Sequence, residues 1–477
     1  MLWLILLFII RLSNVQSNLI LLAFNDQQVS ITGQSAPPPD EIEGAVLCST
    51  LPSIGISIYK LPNNESASEF CKDLPYQEYN IALCEPDTPI RLEQSANLSF
   101  TNDPLLAKQY YLGVDGVQQV WNQGVRGNQS VRVCIMDSGY DTRHPDLQKN
   151  QWLNPNEIDS NGVDDDGNGI VDDVHGASFL NGISSGSVQD ENGHGTFVSG
   201  IIGATVNNAI GIAGMLWDVS MIMCKFMDKT GNGQLSDAVS CYNYCLDQKS
   251  HIIHNSWGST QYSQALSLAF SAISTRAVPV ITSAGNDGVD TDSQVHYPSG
   301  FSGQYPTVIS VAALDTRLAL ATFSNYGQKS VQIGAPGVSI QSLALAGGYK
   351  TDSGTSFAAP QITATAALLY AYLANNGSIN IDTQNVASLV TGALLNSTKS
   401  YPQSTTSAQI ARGYLDTAGA LQALAAGLAA QNNQTTAISG AVGIIVGIVI
   451  GLVVMFFIMI GIYFVYCRLK KKRSFNQ

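Results

Sequence analysis

Charge is scarce in this chain of 477 residues, and positive charge is scarcer than negative. Asp, Glu, Lys and Arg make up 12% of the residues, with 23 Lys plus Arg against 36 Asp plus Glu. The net charge of -13 leaves no basic footprint for a phosphate backbone, so no nucleic-acid partner is expected. Internal repeats are absent, which excludes a stacked-repeat architecture. Histidine is sparse as well. His144, His175, His251, His254 and His296 show no metal-ligand spacing and read as ordinary structural or surface residues. What the chain does have is 43 Gly and 45% hydrophobic residues. That mix argues against long disorder and suits a loop-rich α/β enzyme with one membrane segment.

Both ends carry targeting patterns. Residues 1–10 are mostly apolar, and Val15-Gln16-Ser17 offers small residues for signal cleavage, so residues 1–17 read as a signal peptide, with an uncleaved anchor as the alternative. Residues 437–467 contain no charged residue and exceed the roughly 20 residues a bilayer needs. Arg468, Lys470, Lys471, Lys472 and Arg473 follow at once, which places residues 468–477 in the cytoplasm and gives a single-pass type I protein. The bulk of the chain is then extracellular or lumenal, at the cell surface or on a secretory-pathway membrane. Asn-x-Ser/Thr sites at Asn64, Asn97, Asn128, Asn376, Asn396 and Asn433 fit a glycoprotein on that side. So do seven of the eight cysteines, in a compartment that permits disulfides. Their connectivity stays open: Cys48, Cys71 and Cys84 are an odd group, and Cys134 reads equally as a small buried strand residue.

Between the ends, residues 18–100 read as a small α+β unit, with strand-like runs at 18–24 and 54–59. From about Asn102 strands and helices alternate. Strands are expected at 131–136, 219–227, 252–255, 278–282 and 307–314, and helices at 195–204, 236–248, 265–274 and 356–375. This pattern implies an α/β fold with a doubly wound, mostly parallel sheet whose site opens at the carboxyl ends of its strands.

Four short strings carry chemistry. Asp137 closes the apolar strand in Met-Asp-Ser-Gly139. His194 stands in Asn192-Gly-His-Gly-Thr196 and Ser356 in Ser353-Gly-Thr-Ser-Phe-Ala-Ala-Pro360, each opening an apolar helix. A serine hydroxyl is a weak nucleophile until a base takes its proton and a carboxylate fixes the base, which is what this residue set supplies. Asn286, in Ser283-Ala-Gly-Asn286, has a side-chain N–H suited to an oxyanion, although an isolated Asn in a Gly-rich turn is usually only a turn residue.

The four strings, in the order Asp, His, Ser, closely resemble the subtilisin-like serine proteases, and the resemblance runs from about Asn102 to Leu421. It implies a serine endopeptidase with Asp137, His194 and Ser356 as triad and Asn286 as oxyanion donor. It further implies a substrate-binding strand at Ser256, Trp257 and Gly258, a facing loop at Gly231 and Gly233, and protein or peptide substrates bound between them as an added strand. Residues 18–100 become a propeptide that aids folding and inhibits its own enzyme, with self-cleavage between Cys84 and Asn102. The organisation is then a peptidase domain over 101–421, a stalk over 422–436 and the membrane helix over 437–467. Phe197 departs from many members, which have histidine or a smaller residue there. The rival reading is a catalytically inactive binding or adhesion receptor on the same fold.

Calcium is the expected cofactor, in a structural role. Asp164, Asp166 and Asn168, followed by Gly169, begin like a calcium loop, and Asp172 stands in for its missing terminal Glu. A solvated acidic loop is the alternative. The family resemblance alone implies a second site at Asp103, Asp146 and Asn208.

Overall fold

The computed structural model describes residues 19–24, 39–51, 56–62, 66–86, 101–377, 379–402, 409–429, and 455, 459–461 and 463. The expected signal peptide, residues 430–436 of the expected stalk and nearly all of the expected membrane helix lie outside the described residues, while residues 422–429, expected as stalk, continue a helix that starts at Thr417. The chain divides into two compact units, Met1–Leu98 and Ser99–Gln477.

The first unit is a five-stranded antiparallel sheet with one helix. Its strands are β1 (Leu19–Phe24), β2 (Glu41–Ile42), β3 (Ala45–Leu51), β4 (Ile56–Lys60) and β5 (Ile81–Pro86), in the order β2-β3-β4-β1-β5. Helix α1 (Ala67–Asp73) covers one face through Phe70 and Cys71. Leu22, Ile42, Tyr59, Leu61 and Ile81 complete a small core. Cys71 and Cys84 form a disulfide across it, and Cys48 is the exposed free thiol among the described residues.

The second unit is built on an eight-stranded sheet, from β6 (Gly127–Asp137) through β7 (Gly176–Leu180), β8 (Ile183–Ser185), β9 (Asp218–Lys225), β10 (Ile252–Asn255), β11 (Val280–Ser283) and β12 (Val308–Leu314) to β13 (Ile333–Pro336). The order is β13-β12-β11-β10-β6-β9-β7-β8, parallel throughout except for the edge strand β8. The short helices α2 (Tyr111–Val114) and α3 (Val117–Asn122) precede β6. Because side chains alternate along a strand, Val133 and Ile135 face one helical layer while Cys134 and Met136 face the other. The first layer holds α4 (His194–Gly203) and, later in the chain, the Ser356 helix; the second holds α5 (Leu235–Asp247) and α6 (Gln264–Thr275). A hairpin of β14 (Ile340–Ala344) and β15 (Gly348–Asp352) leads into α7 (Thr355–Asn376), followed by α8 (Gln384–Asn396) and α9 (Thr417–Ala429). Neither that hairpin nor β7, β8, β13 and α8 was expected from the sequence.

α7 is long and apolar enough to cross a membrane, yet 89% of its most apolar window is buried inside the protein. Its hydrophobicity all round reflects a core helix packed on the sheet. Cys134 is not a simple buried thiol: it pairs with Cys245, and Cys224 pairs with Cys241. The bonds tie the neighbouring strands β6 and β9 to α5. Their sequence separations of 111 and 17 residues correspond to about 5 and about 3 kcal/mol of unfolded-state entropy in a simple chain model.

Candidate active site

The first strand of the sheet, β6, has neighbours on both sides, β9 and β10, so the chain winds away from it in two directions. The crevice at its carboxyl end is where such sheets place ligands. Asp137 is the last residue of β6, and its side chain is 1% exposed. His194 opens α4, and its Nδ1 lies 2.8 Å from Asp137 Oδ1 and 3.0 Å from Oδ2. An ionised carboxylate only accepts, so Nδ1 carries the proton and Nε2 is left with its lone pair. Burial works to lower the His194 pKa, but the Asp137 charge and hydrogen bond, with Asp190 adding to them, outweigh it and leave the pKa raised. Gly195 is required here, because a Cβ would come 3.1 Å from Asp137 Oδ1 and closer still to the Gly139 carbonyl.

Ser356 is buried in the first turn of α7, where helix geometry supplies its N–H with no partner. Its hydroxyl donates to the Ser256 carbonyl at 3.1 Å. Among the described residues no hydrogen bond joins it to His194. The two elements do meet through Phe357, whose ring is 5.6 Å from the His194 ring and 4.2 Å from Phe197. Phe197, the departure noted above, is therefore fully buried beneath the site. Asn286 follows β11, and its Oδ1 accepts from Thr355 N and Thr355 Oγ1, each at 2.9 Å. Because Oδ1 is held by Thr355, the amide nitrogen is the end of the carboxamide that these two bonds leave free. Asn325 secures this loop, accepting from Asp287 N and Val289 N and donating to the Ala284 carbonyl.

The remaining expected residues lie on segments that touch these elements. Ser256, just past β10, touches Ser356 through both its hydroxyl and its carbonyl. Trp257 packs edge-on against Phe226 with centroids 5.0 Å apart. Gly258 lies against the His296 ring, leaving no room for a Cβ. Gly231 and Gly233 shape a turn in which Gly231 N bonds Asp228 O and Gly233 pairs with Met227. Asn192 Nδ2 donates to the Lys229 carbonyl at 3.1 Å and ties that turn to the His194 segment.

Three residues that the sequence reading passed over support His194. Asp190 Oδ1 accepts from Asn192 N, Gly193 N and Ser138 Oγ, and its Oδ2 accepts from Thr196 N and Thr196 Oγ1. Ser138 Oγ in turn accepts from Gly195 N, and buried Lys225 donates to the Ser138 carbonyl. An Asp four residues before the helix was the available signal, since Asp is a preferred partner for unsatisfied helix N–H groups.

The acidic loop gathers Glu157, Asp164 and Asp166, with one oxygen from each within 4.8 Å of the others. Glu157 was not anticipated, and its Oε2 is buried with no hydrogen-bond partner. Asn168 and Asp172 lie outside this trio and make hydrogen bonds within the loop, as Asp164 and Asp166 also do. Asn168 bonds Ile170 N and Asp173, and Asp172 accepts from Asn161 N and Gly162 N. Asp103, Asp146 and Asn208 do come together: Asn208 N donates to Asp103, and Asn208 Nδ2 donates to Asp146 at 2.8 Å. Burial, with Asp103 adding to it, pushes the Asp146 carboxyl up to about 7 against its hydrogen bonds.

Comparison with known proteins bears on the family and the fold. The Subtilase family model matches residues 128–443. Subtilisin-like protease 1 of Plasmodium falciparum is 38% identical over 258 residues, covering 50% of this chain and 37% of that protein. A thermostable alkaline protease of Halalkalibacterium halodurans is 34% identical over 252 residues, covering 53% of this chain and 60% of that one. The match thus spans less than two thirds of either relative. A solved protease of Pseudoalteromonas arctica shares the fold with a TM-score of 0.54 at 21% identity, covering 68% of this chain and 99% of that one. With a family model matched over more than half its length, this chain belongs to the subtilase family.

Proposed function

We propose that this protein is a serine endopeptidase in which Asp137, His194 and Ser356 act as a triad. The observation that carries the reading is the Asp137–His194 pair, with its carboxylate buried and its imidazole partly exposed, close to the first turn of α7, which carries Ser356 and donates Thr355 N–H to the Asn286 carboxamide. Rotation about the Ser356 side chain carries its hydroxyl from the Ser256 carbonyl to His194 Nε2. The hydroxyl oxygen attacks the scissile carbonyl as Nε2 takes its proton, and Asp137 stabilises the resulting imidazolium. Asn286 Nδ2 and the Ser356 N–H receive the oxyanion. His194 then protonates the leaving amine, and a water molecule releases the acyl group by the same route. Substrate pairs as a strand between Ser256-Trp257-Gly258 and the Gly231–Gly233 turn. A fluorophosphonate probe tests this: wild-type protein is labelled and Ser356→Ala is not. Labelling that survives the substitution, or absent labelling of the wild type, overturns the reading and favours a binding module.

The chain around this site reads as a secreted-side zymogen. Residues 18–100 serve as the propeptide, and cleavage falls between Cys84 and Asn102. The three disulfides suit an oxidising compartment, and the uncharged segment 437–467 anchors the protein as a type I membrane protein. Calcium fits the acidic loop, because one oxygen each from Glu157, Asp164 and Asp166 converges there, and Glu157 carries a buried oxygen with no hydrogen-bond partner. Glu157, Asp164 and Asp166 would hold the ion, whose charge offsets their mutual repulsion and stiffens the loop. The Asp103–Asp146–Asn208 cluster is a second, buried candidate. Removal of calcium with a chelator is expected to lower the melting temperature; an unchanged melting curve would reject both sites.

A further inference from the structure

The residue behind the nucleophile is a buried histidine that the triad does not use. His254, the third residue of β10, is 0% exposed. Its Nδ1 is 2.8 Å from Thr363 Oγ1 in α7, and its Nε2 is 2.7 Å from Ser256 Oγ. Ser256 Oγ is also 2.9 Å from the Ser356 carbonyl oxygen. That carbonyl has a particular need. Its helical donor would be the N–H of the fourth residue on, which is Pro360, and proline has none. The proline therefore leaves a buried, orphaned acceptor on the residue that carries the nucleophilic hydroxyl.

The proton count around His254 then has one solution that satisfies every group. A serine hydroxyl has a single proton. If Ser256 gave it to His254, the Ser356 carbonyl would face an oxygen lone pair at 2.9 Å with no donor. If Ser256 gives it to the Ser356 carbonyl, His254 Nε2 must carry a hydrogen and donate to Ser256 Oγ. Nδ1 then accepts from Thr363 Oγ1, whose alternative acceptor, the Ala359 carbonyl, is farther away at 3.3 Å. Burial, reinforced by the neighbouring His194, pushes the His254 pKa down to about 3. The ring is therefore neutral, as a relay of one donor and one acceptor requires.

We infer that His254 is a positioning residue for the proposed hydrolysis, acting as a neutral Nε2–H imidazole that directs the Ser256 hydroxyl onto the Ser356 carbonyl left open by Pro360. The same bonds fix the Ser256 carbonyl, which holds the Ser356 hydroxyl in the substrate-free protein. His254 touches neither the nucleophilic oxygen nor His194. It sets the angle at which α7 presents Ser356, and a displacement of about 1 Å there costs up to about 100-fold in rate.

This inference rests on Ser356 being the nucleophile, and the test separates the two. In the full chain, the rate of fluorophosphonate labelling is resolved into probe affinity and maximal rate. His254→Leu, which keeps the volume, and His254→Asn, which is too short to reach Ser256, are expected to lower the maximal rate about 10- to 100-fold with affinity changed less than about threefold. His254→Gln places an amide N–H near the lost Nε2–H and should recover most of the rate. Pro360→Ala returns a helical donor to the Ser356 carbonyl, so the His254→Leu penalty should shrink in that background. Wild-type rates in His254→Leu, a Gln variant as slow as the Leu variant, or an undiminished penalty with Pro360→Ala would each overturn the inference. So would an Nδ1–H tautomer for His254 in nitrogen NMR of histidine-labelled wild-type protein, a readout independent of whether the variants fold. Persistent labelling of Ser356→Ala would instead remove the reading beneath it.

Discussion

α4 and α7 open on the same crevice, and their first turns are finished in opposite ways. At α4 a full negative charge does the work: the Asp190 carboxylate gathers Asn192, Gly193 and Thr196 N–H groups, and Asp137 stands behind His194. At α7 the partners are neutral: the Asn286 carboxamide oxygen takes Thr355 N–H, and Ser256 takes up the carbonyl freed by Pro360. Both helices have a partly positive N-terminus. Carboxylates at the first cancel that field and favour an imidazolium on His194. Neutral caps at the second leave the field in place, as the oxyanion role proposed for the Ser356 N–H requires. One end of the crevice is thus prepared for positive charge and the other for negative.

The sharpest way to break this contrast is to put charge on α7. Asn286→Ala removes a donor and is expected to lower kcat about 100- to 1000-fold with little change in KM. Asn286→Asp keeps the shape but adds an anion where negative charge must develop, so its loss should be at least as large. Steady-state kinetics on one peptide substrate compares them, and an Asp variant faster than the Ala variant would contradict the neutral-cap argument. The reverse experiment takes charge from α4. Asp190→Asn keeps some hydrogen bonds and removes the anion; a cap loss of about 1–2 kcal/mol should appear in thermal unfolding. Because Asp190 helps to raise the His194 pKa, the acid limb of kcat/KM should also move to lower pH.

The wild-type pH profile gives a further check. His194 must be neutral to accept a proton, and its pKa is raised, so kcat/KM should rise through a midpoint above the ordinary histidine value of about 6.5. Stability obeys a separate rule. Burial, helped by Arg132, pushes His251 down to about 4, and burial with His194 pushes His254 to about 3. Both stay neutral in the folded state while the unfolded chain takes up protons below about pH 6.5. Their contribution to stability is therefore whole above that pH and is lost as the pH falls toward 4 and 3. Melting temperatures that stay level from pH 7 to pH 4 would speak against it.

Much of this site was legible because its chemistry is local. Asp137, His194, Asn286 and Ser356 sit in short Gly-rich strings at strand ends and helix starts, and each string shows its own turn. The main strands and helices of the second unit follow from runs of apolar residues long enough to fix a period, and their observed ends fall within a few residues of those expected. What escaped was contributed by distant residues. Glu157 joins the acidic loop from seven residues before Asp164, with no feature marking it. Cys134 alternates like any buried strand residue, so only the position of α5 reveals its bond to Cys245. β8 is exposed throughout and β13 is four residues ending in Pro336, so neither carries a readable pattern. His254 looked like an ordinary core histidine because its role depends on a proline in another element.

The smallest expected effect tests how the neutral cap is held. Thr355 anchors Asn286 twice, through its N–H and through its hydroxyl, both at 2.9 Å. Thr355→Val keeps the volume and the backbone bond and deletes only the hydroxyl. Asn286 Oδ1 then retains one donor, and its carboxamide can turn more freely, because Asn286 is exposed and packing does not fix it. A neutral hydrogen bond contributes about 1 kcal/mol net, so kcat is expected to fall about fivefold with KM nearly unchanged. Thr355→Ser keeps the hydroxyl and should remain within about twofold of wild type. In an Asn286→Ala background the Val substitution has no carboxamide left to release, so it should cost almost nothing more. An additive loss there would mean that Thr355 supports α7 directly, and the orientation of Asn286 would then need another source.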